Sequence, residues 1–423
     1  MVNSPSSRSR SGPAARVRLV QRLAVLSTAA LALAACSSSS SSSTSSGTSA
    51  AGSSAFSKAP YHVAIVADLT GPSSPIVIPF AQGAEAYFHM INAHGGINGH
   101  QIDYGTPIDG QSTTTGAVSA IKTALASNPD AIVGELTGLA AGQNLLAAAK
   151  IPTMVAAAPS PAWNIGSNLY PWYFSMVGDF LGPYVTGFKQ LFNGSLTGKK
   201  IDFVTLNMPA EIFQSNSTAK ALQAAGATTP LTEQVDITQL SFTSEAAAIA
   251  ANHPDGVAMY VVGAAPKALT DELAADGFHG PIINFQPASQ AAVISSIASP
   301  NYYGARYTEL NTPVITAAAQ AAGISLPAGA DLTQGWVGAA VVVTGLGGCT
   351  STCTPAVIEH TLDTTPVTAP GVLLGPMTYS ATNHLGNESY GYYHYDASSK
   401  QVVLGIGPLA VDTDAEAPFY GVG

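Results

Sequence analysis

The stretch from Tyr61 to Gly110 constrains the fold of this chain more than any other. An apolar run from Val63 to Ala67 is typical of a buried strand, and apolar residues recur at helical spacing between Pro79 and Asn92. A glycine-rich reversal ends that helix, and Gln101 to Tyr104 resumes as a second strand. This order predicts the opening β-α-β unit of a parallel sheet. Since ligands of such sheets bind beyond the carboxyl ends of the strands, the loop from Leu69 to Ser74 is the first candidate site.

Strand and helix patterns continue to alternate along the rest of the chain. A helix exit, a proline turn and a buried strand follow one another from Asn128 to Val133, and the same sequence of features recurs from His253 to Val262. This repeat, together with the length of the chain, predicts an α/β fold of two lobes that are built alike.

The first 59 residues predict export and attachment instead of a folded core. Residues 1–35 contain five arginines and no acid, and they end in an apolar run that is shorter than the roughly 20 residues of a spanning helix. Leu33-Ala-Ala-Cys36 resembles the lipobox of bacterial lipoproteins, which implies cleavage before Cys36 and lipidation of its thiol. An ordinary signal peptide is the alternative. Residues 36–59 are rich in serine and are expected to form a flexible tether.

The charge of the remaining chain argues against nucleic acid as a partner. Without the five signal arginines, 10 basic residues face 25 acidic ones, which gives a formal charge of −15. In an exported protein, Cys349 and Cys353 are expected to form a disulfide. A metal or redox role is the weaker alternative, because the spacing is not Cys-x-x-Cys and His360 is the only nearby histidine.

Motifs of known catalytic chemistry are missing from the sequence. Gly194 to Lys199 has the wrong glycine spacing for a phosphate-binding loop and precedes a strand, and there is no Gly-x-Ser-x-Gly elbow. The histidines show no metal-ligand spacing. We therefore expect no enzyme activity, no cofactor and no metal. A hydrolase whose serine, histidine and acid meet only in space stays as an alternative.

Several phrases of the sequence resemble one family, the solute-binding proteins of branched-chain amino acid type ABC transporters. The resemblance covers about Tyr61 to Gln401, and the residues that carry it are Val63 to Gly71, Ile91 to Gly99, Asp109, Ile132 to Gly134, Ile151-Pro152, Pro254-Asp255 and Gly375 to Tyr379 with His384. It implies the type I periplasmic binding protein fold, in which two Rossmann-like lobes with parallel sheets are joined by a three-strand hinge and close on a ligand. Lobe 1 is expected at residues 60–181 and 304–386, and lobe 2 at residues 182–303 and 387–423.

The resemblance also implies which strand-end loops line the cleft. In lobe 1 these loops contain Thr70, Gly71, Thr137, Gly138, Ala158, Pro159 and Ser160. In lobe 2 the facing residues are Met208, Glu211, Phe213, Gly263, Phe285 and Gln286. Hydroxyls and backbone amides at helix starts suit an anionic group, although the same residues are also common in turns and caps. Trp163, Phe180, Phe213 and Phe285 are candidates to stack on a ligand or to pack in the core.

The sequence departs from the family where an amino-acid ligand would need a partner for its ammonium group. Gly263 and Gln286 stand at strand ends where members place an acid, and Glu211 is the only acid in a neighbouring loop. A neutral or carboxylate solute therefore fits as well as an amino acid. The sequence predicts a monomeric, lipid-anchored extracytoplasmic receptor that delivers a solute to an ABC permease and its ATPase. A sensory receptor that reports the ligand to a signalling partner is the main alternative.

Overall fold

The computed structural model describes residues 56–155, 164–166, 169–176, 181–326 and 329–421. The first part of the chain alternates strands and helices, as the apolar patterns predict. Its elements are β1 (Tyr61–Ala67), α1 (Ser74–Ala93), β2 (Ile102–Asp103), β3 (Ile108–Asp109), α2 (Thr114–Ala126), β4 (Ala131–Glu135), a 3-10 turn (Leu139–Gly142), α3 (Gln143–Ala149), β5 (Thr153–Val155) and β6 (Tyr173–Ser175).

The middle of the chain repeats this alternation. Its elements are α4 (Gly182–Leu191), β7 (Ile201–Leu206), α5 (Pro209–Ala224), β8 (Thr232–Val235), α6 (Thr243–Asn252), β9 (Gly256–Tyr260), α7 (Ala265–Ala275), β10 (Ile282–Asn284), a 3-10 turn (Gln286–Ala288), α8 (Ala291–Ile297) and β11 (Tyr302–Arg306).

The last part adds helices and an antiparallel hairpin. Its elements are α9 (Pro313–Ala321), α10 (Thr333–Gly347), α11 (Pro355–Thr364), β12 (Thr378–Ser380), β13 (Asn383–Asp396), β14 (Gln401–Val411), α12 (Thr413–Glu416) and a 3-10 turn (Ala417–Tyr420). Cys349 and Cys353 form a disulfide between α10 and α11, with a distance of 2.17 Å between the two sulfur atoms. None of the helices in the described ranges is long and apolar enough to cross a membrane.

Two sheets organise these elements. The first sheet has the order β2-β1-β4-β5-β6, with β3 also paired to β1, and all of its pairs are parallel. The pairing of β1 with β2 in parallel, Tyr61 opposite Ile102, confirms the predicted β-α-β unit. The second sheet has the order β12-β13-β11-β10-β9-β7-β8, with β14 paired to β13. Its strands from β8 to β11 are parallel, whereas β13 is antiparallel to its neighbours.

Helices cover both faces of each sheet. On the first sheet, α1 and α10 pack on one side, while α2 packs on the other side against β1 and α3. On the second sheet, α4 contacts β10 and α5 contacts β7 from one face, and α8 contacts β11 from the other face. The central parallel strands β7 and β9 are wholly buried, as expected where both faces of a sheet are covered, which confirms the predicted α/β class with parallel sheets.

The chain passes between the two sheets more than once. It leaves the first sheet after β6, and after β11 it returns to α9 and α10, which pack on α1. The long strand β13 begins at the first sheet, where Asn383 bridges to Ile165 and the His384 ring stacks on Phe174 of β6 with centroids 4.0 Å apart. It then pairs with β11 in the second sheet, Tyr393 opposite Gly304.

Candidate functional site

Asp68 joins three loops at the carboxyl edge of the first sheet. It follows the last residue of β1, and its side chain is fully buried. One carboxylate oxygen accepts a hydrogen bond from the Ser112 backbone N–H at 3.0 Å, and the other accepts from the Thr137 backbone N–H at 2.7 Å. The loops that follow β1, β3 and β4 therefore hold fixed positions relative to one another.

Asp109, the last residue of β3, fixes the loop after β1 from its other side. Its Oδ1 accepts hydrogen bonds from the backbone N–H groups of Leu69, Thr70 and Gln111 at 2.9, 3.1 and 2.8 Å. Its Oδ2 accepts from the Thr70 hydroxyl at 2.6 Å. Desolvation acts to raise the pKa of Asp109, but these donors outweigh it and lower the pKa below its ordinary value.

Three hydroxyl groups lie on this scaffold. Thr70 and Thr137 are exposed and Ser73 is half-buried, and the Ser73 and Thr137 oxygens are 2.9 Å apart. Ser112 connects them, because its hydroxyl donates to the Thr70 carbonyl at 2.8 Å and accepts from the Ser73 N–H at 3.1 Å. The predicted site residues Thr70 and Thr137 are thus brought together by the loops.

Gly71 and Gly138 shape these loops, and both have left-handed backbone conformations, with φ of 87° and 79°. A Cβ atom at Gly71 would lie 2.9 Å from the Gln111 carbonyl oxygen, and one at Gly138 would lie 2.8 Å from the Thr114 Cα. The loop after β3 therefore packs too closely for side chains at either position. Both predicted residues position the backbone of the site.

Some predicted residues lie outside the described part of the chain. These are Ala158, Pro159 and Ser160 of the loop after β5, the aromatic residues Trp163 and Phe180, and the lipidation residue Cys36. Their predicted roles stay predictions.

At the second sheet, the start of α5 follows the carboxyl end of β7. Met208 is exposed at the helix boundary, and Glu211 lies in the first turn. The Glu211 Oε2 atom is buried and makes no hydrogen bond within the described residues, and burial raises the pKa of this carboxyl. The Phe213 ring stacks on Tyr420 with centroids 6.4 Å apart, so this aromatic side chain packs against the protein.

The ends of β9 and β10 hold the other three predicted residues. Gly263 has a φ of 69°, and a Cβ atom there would meet open space. Phe285 is 9% exposed and lies against the Tyr260 ring, so it belongs to the core. Gln286 is also buried. Its Oε1 accepts a hydrogen bond from the Tyr307 N–H at 3.5 Å, while its Nε2 has no partner within the described residues.

The carboxyl edges of the two sheets meet at Tyr307. This residue directly follows β11 of the second sheet, and its hydroxyl donates to the carbonyl of Met176, which directly follows β6 of the first sheet, at 3.0 Å. Because β6 runs parallel to β5, and β11 runs parallel to β10, the loops after the other parallel strands extend from the same two edges. Loops at the carboxyl edges of parallel strands are the usual place where α/β sheets bind small molecules.

The sequence reasoning did not select Asp68 or Glu135 as site residues. Glu135 ends β4, and its Oε2 is buried with no hydrogen bond inside the described ranges. Burial, and then the negative charge of Asp68, raise the pKa of Glu135 to about 7. An acid directly after an apolar strand was the available signal for both residues. No group of three or more histidine, cysteine or acidic side chains in the described ranges is arranged to hold a metal ion.

Comparison with known proteins gives one family. A family model described as "Periplasmic binding protein" matches residues 60–400. No curated protein matches the sequence at a significant level.

Solved structures share the fold over nearly their full length. A fatty acid ABC transporter substrate-binding protein from Thermomonospora curvata has a TM-score of 0.67 at 18% identity, with 87% of this chain and 96% of that chain covered. A branched chain amino acid ABC transporter protein from Thermus thermophilus with bound valine gives 0.70 at 15%, covering 83% and 96%. A solute binding protein from R. palustris in complex with benzoate gives 0.64 at 17%, covering 84% and 97%. At identities this low, the likeness shows a shared fold and nothing further.

Proposed function

Because the chain belongs to the periplasmic binding protein family, we propose that it is the extracytoplasmic solute receptor of an ABC importer. The observation that carries this proposal is the meeting of the two carboxyl edges at the hydrogen bond between Tyr307 and Met176. A solute between those edges contacts loops of both sheets only when the two halves are close together. Its binding energy therefore shifts the protein toward a closed form that the permease recognises.

The lobes of this receptor are proposed at residues 60–181 with 304–386 and at residues 182–303 with 387–423. The exchange of the chain between the sheets after β11 and within β13 supports these boundaries. Lipidation at Cys36 and the serine-rich residues 36–59 would hold a monomer at the outer face of the cell membrane.

We propose a solute with a carboxylate or amide group bound at the edge of the first sheet. The acids Asp68 and Asp109 already accept hydrogen bonds from backbone amides, and the Thr70 hydroxyl donates to Asp109. The exposed Thr137 hydroxyl, which lies beside Ser73, is therefore the donor that we place against the ligand. Hydroxyls and backbone amides bind an uncharged amide or a carboxylate without an arginine.

At the second sheet, two buried polar atoms favour a ligand with polar groups on that side too. The Gln286 Nε2 is a donor and the Glu211 carboxyl has a raised pKa, so both suit hydrogen bonds to a neutral or anionic solute. An amino-acid-like solute stays within the proposal, with Glu211 as the partner of its ammonium group.

Isothermal calorimetry and thermal shift of the mature, unlipidated protein test this function. A panel of amino acids, amides, short carboxylates and aromatic acids should contain a solute that raises the melting temperature, since a ligand at 100 times its Kd adds about 2.7 kcal/mol of stability. We expect Thr137→Val to lower the affinity for that solute by roughly tenfold, because the variant loses one good hydrogen bond. Thr123→Val is the matched control, because Thr123 is also exposed and makes one hydroxyl hydrogen bond, on α2.

Equal affinities of the Thr137 and Thr123 variants would remove the first-sheet edge from the site. Binding without transport, in a membrane that contains the permease, would instead favour a sensory receptor. Chemical turnover of the solute would identify an enzyme.

A further inference from the structure

The exposed large apolar side chains of the described residues cluster at the strand ends. They are Ile76, Met208, Ile237, Leu240 and Leu404, with exposures of 52, 40, 60, 82 and 40%. All but Leu404 follow the carboxyl end of a strand: Ile76 lies in the first turn of α1 after β1, Met208 follows β7, and the other two follow β8. Met208, Ile237 and Leu240 thus follow the paired strands β7 and β8 of the second sheet, and exposed apolar side chains that lie together mark an interaction surface.

Residues 236–241, which we call the apolar loop, hold the two most exposed of these side chains in a fixed turn. The Gln239 N–H donates to the Asp236 carbonyl at 2.9 Å, and the Gln239 side chain donates to the Ser241 carbonyl at 2.8 Å and to Glu245 at 2.9 Å. Phe242, which ends the loop, is completely buried. A turn tied down in this way keeps Ile237 and Leu240 in water, at a cost that contact with a partner would remove.

The apolar loop continues the edge that carries the candidate site. Leu206 at the end of β7 pairs with Val235 at the end of β8, so the loop starts beside the Met208 segment. Ile76 lies at the corresponding edge of the first sheet, and the two edges meet at Tyr307. A partner that covers Ile76, Met208 and the apolar loop would therefore contact both halves of the protein, and the spacing of these contacts would change when the halves close.

The charge around the apolar loop selects among possible occupants. Asp236 lies in it, Glu233 and Glu245 flank it, and the whole chain has a formal charge of −10. A second copy of this chain would bring like charge to the contact, and so would an anionic bilayer surface. A protein with apolar side chains inside a basic rim complements this surface.

We propose that Ile76, Met208 and the apolar loop form the surface that docks onto the extracytoplasmic face of the permease, and that this face carries a basic rim. The inference rests on the proposed importer function and adds the docking residues to it. Ile237 and Leu240 are its most exposed side chains, so they would bury the most apolar area on contact with the partner.

The test compares the double variant Ile237→Ser/Leu240→Ser with Leu404→Ser. Leu404 is a matched control, because it is exposed but lies on β14, far along the second sheet from β8. The permease–ATPase complex from the same organism is placed in nanodiscs. Binding of the full mature chain to this complex is then measured with and without solute. We expect the double variant to bind roughly tenfold or more weakly, with unchanged solute affinity, and Leu404→Ser to bind as wild type.

Other results would overturn the docking proposal. Equal permease affinity of the double variant and wild type would do so directly. If wild type binds empty nanodiscs and the double variant does not, the surface belongs to the bilayer. If wild type self-associates in sedimentation and the double variant does not, the surface belongs to a second copy of the chain. Wild type that binds a solute but not the permease would contradict docking and leave solute binding intact, whereas failure to bind any solute would count against the proposed function itself.

Discussion

Arg306 and Asp331 form a buried ion pair that connects the second sheet to a helix of the first. The Arg306 side chain is 1% exposed, and its Nη2 lies 2.8 Å from Asp331 Oδ2 and 2.8 Å from the Thr308 hydroxyl. Asp331 in turn accepts a hydrogen bond from the Thr333 hydroxyl at 2.6 Å, at the start of α10. Since Arg306 ends β11, the pair fixes the point at which the chain returns to the first sheet.

Replacement of Asp331 with asparagine should destabilise the protein strongly. The change leaves the buried guanidinium without its counter-charge, which costs about 3–5 kcal/mol in comparable pairs. Asp271→Asn is the control, because Asp271 pairs with Lys267 at an exposed site where such pairs contribute only ~0.5 kcal/mol. Urea unfolding at neutral pH measures both variants, and similar losses in the two would contradict the role of the buried pair.

The same pair predicts acid sensitivity. Burial acts to raise the pKa of Asp331, but the Arg306 charge and the Thr333 donors lower it below its ordinary value of 3.8. A carboxyl with a lowered folded-state pKa contributes stability above its ordinary pKa and loses it as the pH falls through the folded value. Wild type should therefore lose stability more steeply than Asp331→Asn below about pH 4.

Glu135 has the opposite effect on the pH dependence of stability, and it acts at higher pH. Its pKa is raised to about 7, first by burial and then by the charge of Asp68. The folded protein thus retains a proton that the unfolded chain releases near pH 4.5, so stability falls as the pH rises from about 4.5 to 7. With 1.4 kcal/mol for each pKa unit, the loss is on the order of 3 kcal/mol.

Glu135→Gln should remove this slope, because the amide has the size of the protonated acid and does not ionise. Urea midpoints between pH 4.5 and 7.5 measure it, with Glu309→Gln in the segment after β11 as the comparison. An unchanged slope in Glu135→Gln would show that another group titrates in this range.

A structural feature of this protein can be predicted from the sequence when the residues that form it are close together along the chain. The β-α-β unit at Tyr61 was predictable because apolar spacing and glycine stops are local signals, and β1 does pair with β2. Thr70 and Thr137 were predictable as neighbours because strand-end loops share an edge. Asp68 was not selected, since its partners Ser112 and Thr137 lie 44 and 69 residues away, and only the fold brings them together.

Phe285 is a residue that the sequence selects but whose role the sequence leaves open. An aromatic residue after a buried strand fits both a ligand contact and a core position, and only the three-dimensional packing against Tyr260 distinguishes them. The unpartnered atoms of Gln286 and Glu135 are also invisible in a sequence, because hydrogen bonding in the core depends on residues from several elements.

Gly138 and Gly263 offer a matched test of loop packing. Both have left-handed backbones, so an alanine at either position costs roughly 1–2 kcal/mol of strain. A Cβ atom at Gly138 would lie 2.8 Å from Thr114 Cα, whereas one at Gly263 meets open space. Gly138→Ala should therefore be less stable than Gly263→Ala by about 1–3 kcal/mol, the usual cost of overpacking. Equal urea midpoints would mean that the loop after β3 moves away freely.

Glu211 provides the prediction that separates ligand classes. Burial raises the pKa of its carboxyl above the ordinary value of 4.5, and the Oε2 atom has no hydrogen bond inside the described ranges. For a carboxylate or amide solute, the protonated carboxyl donates to the ligand, so affinity should fall as the pH rises through the raised pKa. Glutamine also donates, and Glu211→Gln should bind within about threefold of wild type at low pH and lose the pH dependence, since its neutral hydrogen bond is worth about 1 kcal/mol.

An ammonium-bearing solute requires the ionised carboxylate and reverses this behaviour. Its affinity for wild type would rise with pH, and Glu211→Gln would lose roughly a hundredfold or more, because a buried cation without its counter-charge costs about 3 kcal/mol or more. Calorimetric titrations of both proteins across a pH series with the best solute of the panel therefore decide between the two classes. The Gln214→Glu variant, one turn further along α5, controls for a general change of charge near the site.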